Sequence, residues 1–280
     1  MPWKVQLAIG RAVGRFAFHV LRLRRHVVEV NLKLCFPEKS KTERKQLAAA
    51  HYEAIGMGLF ETVNAWWTPS NRLPPCEIVG GEHLIAAAAA GKGVLLLTAH
   101  FTTLEICGRY FCDAFTMGGL YRDPENPVIA HEMQLSRADK LNPAIPMNDL
   151  RGLIRALRQG KNIWYAPDQG LRGKFSSILP FFGVPAQTNT ATSRIAQMSG
   201  SAVLPFFGIR KPDGTYLLSI LPHFENFPTD DPKADTLRFT QVMEEQIRRA
   251  PEQYFWIHRR FKRRGKGYPS AYKPLKKAPK

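Results

Sequence analysis

His100 and Glu105, five positions apart in GVLLLTAHFTTLE, are residue types that move protons together. A carboxylate bound to one ring nitrogen of an imidazole fixes its tautomer and frees the other nitrogen to act as a general base. The spacing alone does not demand this. On one continuous helix, positions five apart differ by roughly 140° around the axis and point apart. The two groups can therefore meet only if His100 sits on a turn and Glu105 in the first turn of the helix that follows. An H-x4-E match is also common by chance. A helix-capping Glu105 and a satisfied polar His100 at a strand end fit the same letters.

The flanking residues supply the elements that must position the pair. Val94 to Leu97 is a short, continuous apolar run preceded by Gly91 and Gly93, which reads as a buried strand. Thr98 to His100 is then a turn. Thr102 with Glu105 three residues on has the form of a capping box, predicting a helix from Thr102 through Leu104, Ile106 and Cys107 toward Tyr110 and Phe111. Asp168 follows Pro167 after the apolar run IWYA and so sits at another strand end, where a plain turn residue fits equally well.

Along the rest of the chain, helical patterns alternate with short strands. Helix is expected over 40–67, with an apolar face from Leu47, Ile55, Leu59 and Val63 ending at Trp66 and Trp67, then in Ala86–Ala90, Leu150–Leu157, Thr190–Met198 and Asp235–Ala250. Strands are expected at Ile163–Ala166, Ala202–Phe207 and Thr215–Leu221. Such alternation predicts an α/β fold with a mostly parallel or mixed central sheet flanked by helices.

Six segments then fall in a telling order: VEVNLKLCFPE (Val28 to Glu38), LLLTAHFTTLE (Leu95 to Glu105), YRDPENP (Tyr121 to Pro127), IWYAPDQG (Ile163 to Gly170), PFFGVPAQTNTATSRIA (Pro180 to Ala196) and PEQYFWIHRRFKRR (Pro251 to Arg264). On these the sequence resembles, over nearly its whole length, the lipid A biosynthesis acyltransferases, a group within the glycerolipid acyltransferase superfamily. The resemblance implies a glycerolipid acyltransferase-like fold. It implies that His100 is the base on an acceptor hydroxyl and that Glu105 orients it. Arg122 falls in the second block of the pattern, Arg137 matches a basic position after it, and Asp168 and Gln169 match an APDQ segment; these four are the implied substrate-binding residues. Two departures stand out. Ala99 replaces a common glycine before the histidine, and HEMQLSRADKL around Arg137 is less arginine-rich than usual.

Acyl transfer from a thioester suits these residue types. A positioned base accelerates such a step by about 10² to 10⁴ without a covalent acyl-enzyme. The oxyanion of the tetrahedral intermediate calls for N–H groups at a helix start or an arginine, and Arg122 and Arg137 fit that role or the binding of acceptor phosphates. The implied partners are acyl carrier protein as donor, a Kdo-bearing lipid A precursor or related anionic lipid as acceptor, and the inner-membrane surface at its cytoplasmic face, with no cofactor. A lysophospholipid or another envelope lipid is the alternative acceptor. Trp66, Trp67, Phe181, Phe182, Phe206 and Phe207 fit an acyl groove or ordinary core packing.

Composition agrees. At 280 residues and 44% hydrophobic content the chain can fill one sizeable core, and a formal charge of +17 calls for anionic partners. Nucleic acid is not expected, since no recognition motif accompanies the charge. Residues 1–27 read as one basic amphipathic helix, ahead of a single acyltransferase domain over 28–280 that ends in a basic tail. Ile9, Val13, Phe16, Val20, Leu23 and Val27 gather on one side of it, and Lys4, Arg11, Arg15, Arg22 and Arg25 on the other. That pattern fits a helix lying in a bilayer interface or one packed on a core. No apolar run reaches 18 residues and arginines interrupt any signal-peptide core, so a peripheral protein, or one that begins beyond an N-terminal anchor, is expected. Cys35, Cys76, Cys107 and Cys112 show no CxxC pairing and read as reduced thiols. No zinc pattern, P-loop, dinucleotide fingerprint or G-x-S-x-G elbow is found.

Overall fold

The computed structural model describes residues 1–121, 126–138, 140–170, 173–269 and 271–272. Three helices lead: α1 (Trp3–Phe16), α2 (Arg25–Cys35) and α3 (Lys41–Trp67). Ser40 and Glu43 close a complete capping box on α3. There follow β1 (Cys76–Val79), α4 (Gly81–Ala89), β2 (Val94–Leu97), α5 (Leu104–Ala114), β3 (Met117–Tyr121), α6 (Pro127–Ala138), β4 (Leu141–Pro146), α7 (Leu150–Arg158) and β5 (Ile163–Tyr165). The hairpin β6 (Ser176–Phe181) and β7 (Val184–Asn189) leads to α8 (Ala191–Ser199), β8 (Ala202–Arg210), β9 (Tyr216–Ile220) and α9 (Pro232–Arg249).

Seven strands form the main sheet in the order β1-β9-β8-β2-β5-β3-β4. Every pairing is parallel except β8 with β9, so the expected mixed, mostly parallel sheet is what the chain builds. β2 is central and buried on both faces, which is why its four residues are apolar without alternation. Leu95 and Leu97 pack toward α7, α8 and α9 through Leu157, Ile195 and Phe239, while Val94 and Leu96 pack toward α4 and α5 through Leu84, Ile106 and Phe111. Gly93 enters β2 where a Cβ would stand 2.0 Å from the Lys161 carbonyl oxygen, so only glycine fits. Phe181, Phe182, Phe206 and Phe207 belong to the core.

The N-terminal region departs from a single helix over 1–27. α1 ends at Phe16, a π-helical turn spans Ala17–Leu21, and Arg22 and Arg24 adopt left-handed φ of 52° and 54° before α2 begins. The expected boundary at 27/28 lies inside α2, where Val27 and Val28 are both core residues. α1 lies against α3 through small residues: a Cβ on Gly14 would stand 2.1 Å from the Tyr52 carbonyl oxygen, and one on Gly56 2.0 Å from that of Gly10. The backbones touch there, so the large apolar side chains have no room in the interface. Val5, Ile9, Val13, Phe16 and Val20 are each at least 40% exposed. Leu59, Val63 and Trp67 on α3 are exposed as well, while that helix buries Ala48, His51, Ala54, Glu61 and Asn64. The apolar face expected of α3 is thus largely its outer one.

Glu61 is compensated in the core by Arg210 of β8 and by the Tyr216 hydroxyl of β9, which ties α3 to the sheet. Burial pushes its carboxyl pKa upward, against the pull of Arg210. Removing one member of a buried ion pair strands the other charge, so Arg210→Met is expected to cost about 3–5 kcal/mol. Urea unfolding measures that loss, and Glu61→Leu together with Arg210→Met is expected to recover part of it.

Candidate active site

β2 and β5 are adjacent and parallel, with Leu97 opposite Tyr165. Three residues beyond each strand end stand His100 and Asp168, so equal offsets from paired positions bring them together. In a parallel sheet this is the edge, at the carboxyl ends of the strands, where ligands bind. His100 Nδ1 lies 2.6 Å from Asp168 Oδ1, and the His100 backbone N–H donates to Oδ2 at 3.1 Å. The Tyr254 hydroxyl donates to the same Oδ2 at 3.2 Å. Asp168 is 3% exposed, whereas the His100 side chain keeps 32% of its surface open. With Nδ1–H donated to the carboxylate, Nε2 carries the lone pair of a neutral imidazole.

The electrostatics follow from this geometry. Burial alone favours the neutral imidazole, but the charge and hydrogen bond of Asp168 outweigh it and raise the His100 pKa above its ordinary 6.5. Burial likewise works against the Asp168 charge, yet His100 and then Arg260 hold its pKa below the usual value. Tyr254 is pushed well upward by burial and by Asp168, so it stays a phenol and a donor.

The segment around Tyr254 also fixes the turn. Phe255 N–H donates to the His100 carbonyl at 2.9 Å, and Thr102 N–H donates to Gln253 O at 2.7 Å. Phe101 and Tyr254 form a bridge with their rings edge to face at 5.8 Å.

Glu105 lies elsewhere in the network. It accepts from Arg137 Nη2 at 2.6 Å and from Trp66 Nε1 at 2.8 Å, and among the described residues no hydrogen bond joins it to His100. The expected capping box is not formed either. Thr103 is the N-cap of α5, its hydroxyl donates to Gly208 O at 2.7 Å, and Thr102 Oγ1 is buried without a partner among the described residues. The reason is competition. A guanidinium and an indole N–H satisfy the carboxylate better than the backbone start of its own helix would. Arg137 is correspondingly a paired cation about one-fifth exposed, and the pair lines a cleft with Trp66, Cys112, Lys140 and Trp164. Gln169 follows Asp168, partly exposed at the same strand end. Arg122 lies outside the described residues. The partner that sequence reasoning did not assign to His100 is Asp168, and two strand ends with equal offsets were the available signal.

The family model of the bacterial lipid A biosynthesis acyltransferases matches residues 1–263. The chain belongs to that family. It is 39% identical to the lipid A biosynthesis lauroyltransferase of Escherichia coli K12, over 97% of this chain and 90% of that protein. It is 36% identical, with the same coverage, to the palmitoleoyltransferase of that organism, and 26% identical to its myristoyltransferase over 97% of this chain and 85% of that one. It is therefore an acyltransferase of lipid A biosynthesis.

For this lipid A acyltransferase, kcat/KM is expected to rise with pH as the His100 imidazolium loses its proton, at a pKa above 6.5. Asp168→Asn removes the charge that favours the imidazolium, so the acid limb moves to lower pH, and the misdirected tautomer lowers kcat by about 10³- to 10⁴-fold. Glu105→Gln is expected to leave the acid limb in place. A pH–rate profile of the three proteins reads both outcomes, and a limb displaced by Glu105→Gln alone contradicts the assignment.

Proposed function

We propose that the chain transfers a fatty acyl group from acyl carrier protein to the hydroxyl of a hydroxyacyl chain on a Kdo-bearing lipid A precursor, with His100 as general base and Asp168 as its orienting partner. The observation that carries this reading is the 2.6 Å contact between His100 Nδ1 and a buried carboxylate at the carboxyl ends of two adjacent strands. Nε2 takes the proton as the acceptor oxygen attacks the thioester carbonyl. The C–O bond forms, the tetrahedral intermediate collapses with cleavage of the C–S bond, and the departing sulfur takes the proton back from Nε2. α5 begins at Leu104, a few residues past His100, and its N-terminal dipole favours negative charge developing there. Glu105 serves by anchoring Arg137 and Trp66 at the cleft wall, and Gln169 and Arg122 are kept as acceptor-binding candidates.

His100→Ala removes the base and is expected to lower acyl transfer from acyl carrier protein by about 10² to 10⁴. Turnover of a phosphorylated disaccharide lipid acceptor, followed by mass spectrometry, measures it. Wild-type rates in the folded variant would overturn the mechanism.

We further infer that the enzyme works at the cytoplasmic surface of the inner membrane. No helix among the described residues is long and apolar enough to cross a bilayer. Support comes instead from the outward stripe of Val5, Ile9, Val13, Phe16 and Val20, with Arg11, Arg15 and Arg22 on the same segment. Large apolar side chains facing water beside cations suit an anionic interface. Ile9→Ser, Val13→Ser and Phe16→Ser together leave the glycine contact with α3 intact. They are expected to reduce cosedimentation with anionic liposomes about tenfold or more, since each buried apolar side chain contributes roughly 1.5 kcal/mol or more. Equal binding by the triple variant and wild type excludes this face.

A further inference from the structure

The last sequence block, Pro251 to Arg264, does more than brace the His100 turn. Beyond Tyr254 its side chains help to wall a cavity of about 480 Å³, which is within the size range of small-molecule sites. Arg24, His258, Arg259, Arg260, Lys262 and Arg263 line it, and no carboxylate is among its lining residues.

The cations here differ from other arginines of the molecule. Arg109, Arg137 and Arg210 each face an acid, in Asp113, Glu105 and Glu61. Among the described residues none of the five cations of the cavity is in a salt bridge. Three are instead held by neutral acceptors. Arg260 donates from Nη1 to Gln187 O at 2.6 Å and from Nη2 to Thr188 Oγ1 at 2.7 Å, with its guanidinium 4.9 Å over the Phe181 ring. Arg263 donates to Gln187 Oε1 at 3.0 Å, and Arg24 to Ile257 O at 3.4 Å. Arg260 is 3% exposed, and its Nε, also buried, has no hydrogen-bond partner among the described residues. A buried N–H of a charged group left without an acceptor costs free energy that an incoming anion would recover. Guanidinium groups fixed in place yet not neutralised are preorganised for an oxyanion, and their mutual repulsion falls when one binds.

The cavity connects to the reaction centre through Arg260, which donates to Thr188, a residue that lines a small cleft together with Asp168. Gly170, two residues past Asp168, also lines the cavity.

We propose that this cavity binds a phosphate group of the acceptor's saccharide head, seating the acceptor so that its hydroxyl reaches His100. The assignment rests on the functional reading above and adds to it the place where the acceptor's charge is read. A concave site that holds one buried guanidinium, Arg260, among the exposed cations Arg24, Arg259 and Lys262 has a volume suited to a compact anion such as a phosphate group.

The test compares binding of a bisphosphorylated disaccharide lipid, and of the same lipid after phosphatase treatment, to the full-length protein in neutral-detergent micelles. Wild type is expected to prefer the phosphorylated form by about tenfold or more at low salt, a preference that weakens as salt screens it. R259A/K262A alters two exposed residues and is expected to abolish most of that preference. Arg259→Gln alone gives a smaller loss and serves if the pair fails to fold. A preference that survives in the variants, or its absence in wild type, overturns the proposal. So does a variant that loses affinity for acyl carrier protein while still discriminating the two lipids. Because binding is read without turnover, His100→Ala is expected to keep the preference. If wild type binds with the stated preference but transfers no acyl group, the functional reading fails and the anion site stands.

Discussion

One short contact, between the imidazole of His100 and the buried carboxylate of Asp168, organises the candidate site. A carboxylate at 3% exposure would be costly by itself. It is stabilised by the His100 backbone amide, the His100 ring and the Tyr254 hydroxyl, each of which is thereby fixed in turn. The sheet supplies the precision. β2 and β5 are hydrogen-bonded neighbours, so the separation of the two side chains is set by strand spacing and by equal three-residue extensions rather than by a long flexible loop. The side chain of His100 remains partly open, so the buried end of the pair holds orientation while the other ring nitrogen stays on the open side.

The outer helices obey a different constraint. α1 and α3 meet backbone to backbone at Gly10, Gly14 and Gly56, a mode of packing that leaves bulky residues no place at the interface. Val5, Ile9 and Val13 of α1 and Leu59 and Val63 of α3 point outward. In a helix docked on a water-soluble core the order is normally the reverse. α3 completes this inversion by burying His51, whose imidazole is driven to a pKa of about 4 and stays neutral, and Glu61, held by Arg210. α3 thus keeps His51 inside against the Glu252 carbonyl and Glu61 inside against Arg210, and turns Leu59, Val63 and Trp67 outward.

Much of the fold was legible in the residues. The all-apolar run of β2, the helix expected over 40–67 and formed over Lys41–Trp67, and the strands expected at Ile163–Ala166 and Ala202–Phe207 and formed at Ile163–Tyr165 and Ala202–Arg210 lie where the residues place them. β1, β3 and β4 were not legible: CEIV is short, MGGLY is rich in glycine, and LNPAIP contains two prolines, so none reads as a strand on local propensity. The site was half legible. His100 could be placed on its turn and Asp168 at a strand end, but their pairing depends on β2 and β5 being neighbours, whereas Glu105 is near in sequence. A carboxylate's partner is decided by which donors surround it, and Arg137 and Trp66 arrive at Glu105 from separate helices. The direction faced by α1 was equally hidden, since a helical wheel shows two sides without showing which one a glycine-lined neighbour will cover.

The strap formed by Gln253, Tyr254 and Phe255 carries a consequence for synthesis. It lies far along the polypeptide, yet it grips Thr102, Asp168 and His100. A nascent chain that has emerged from the ribosome only as far as β9 already contains His100 and Asp168 but lacks the segment that holds their turn, so this geometry is completed only after residues 253–255 have been made.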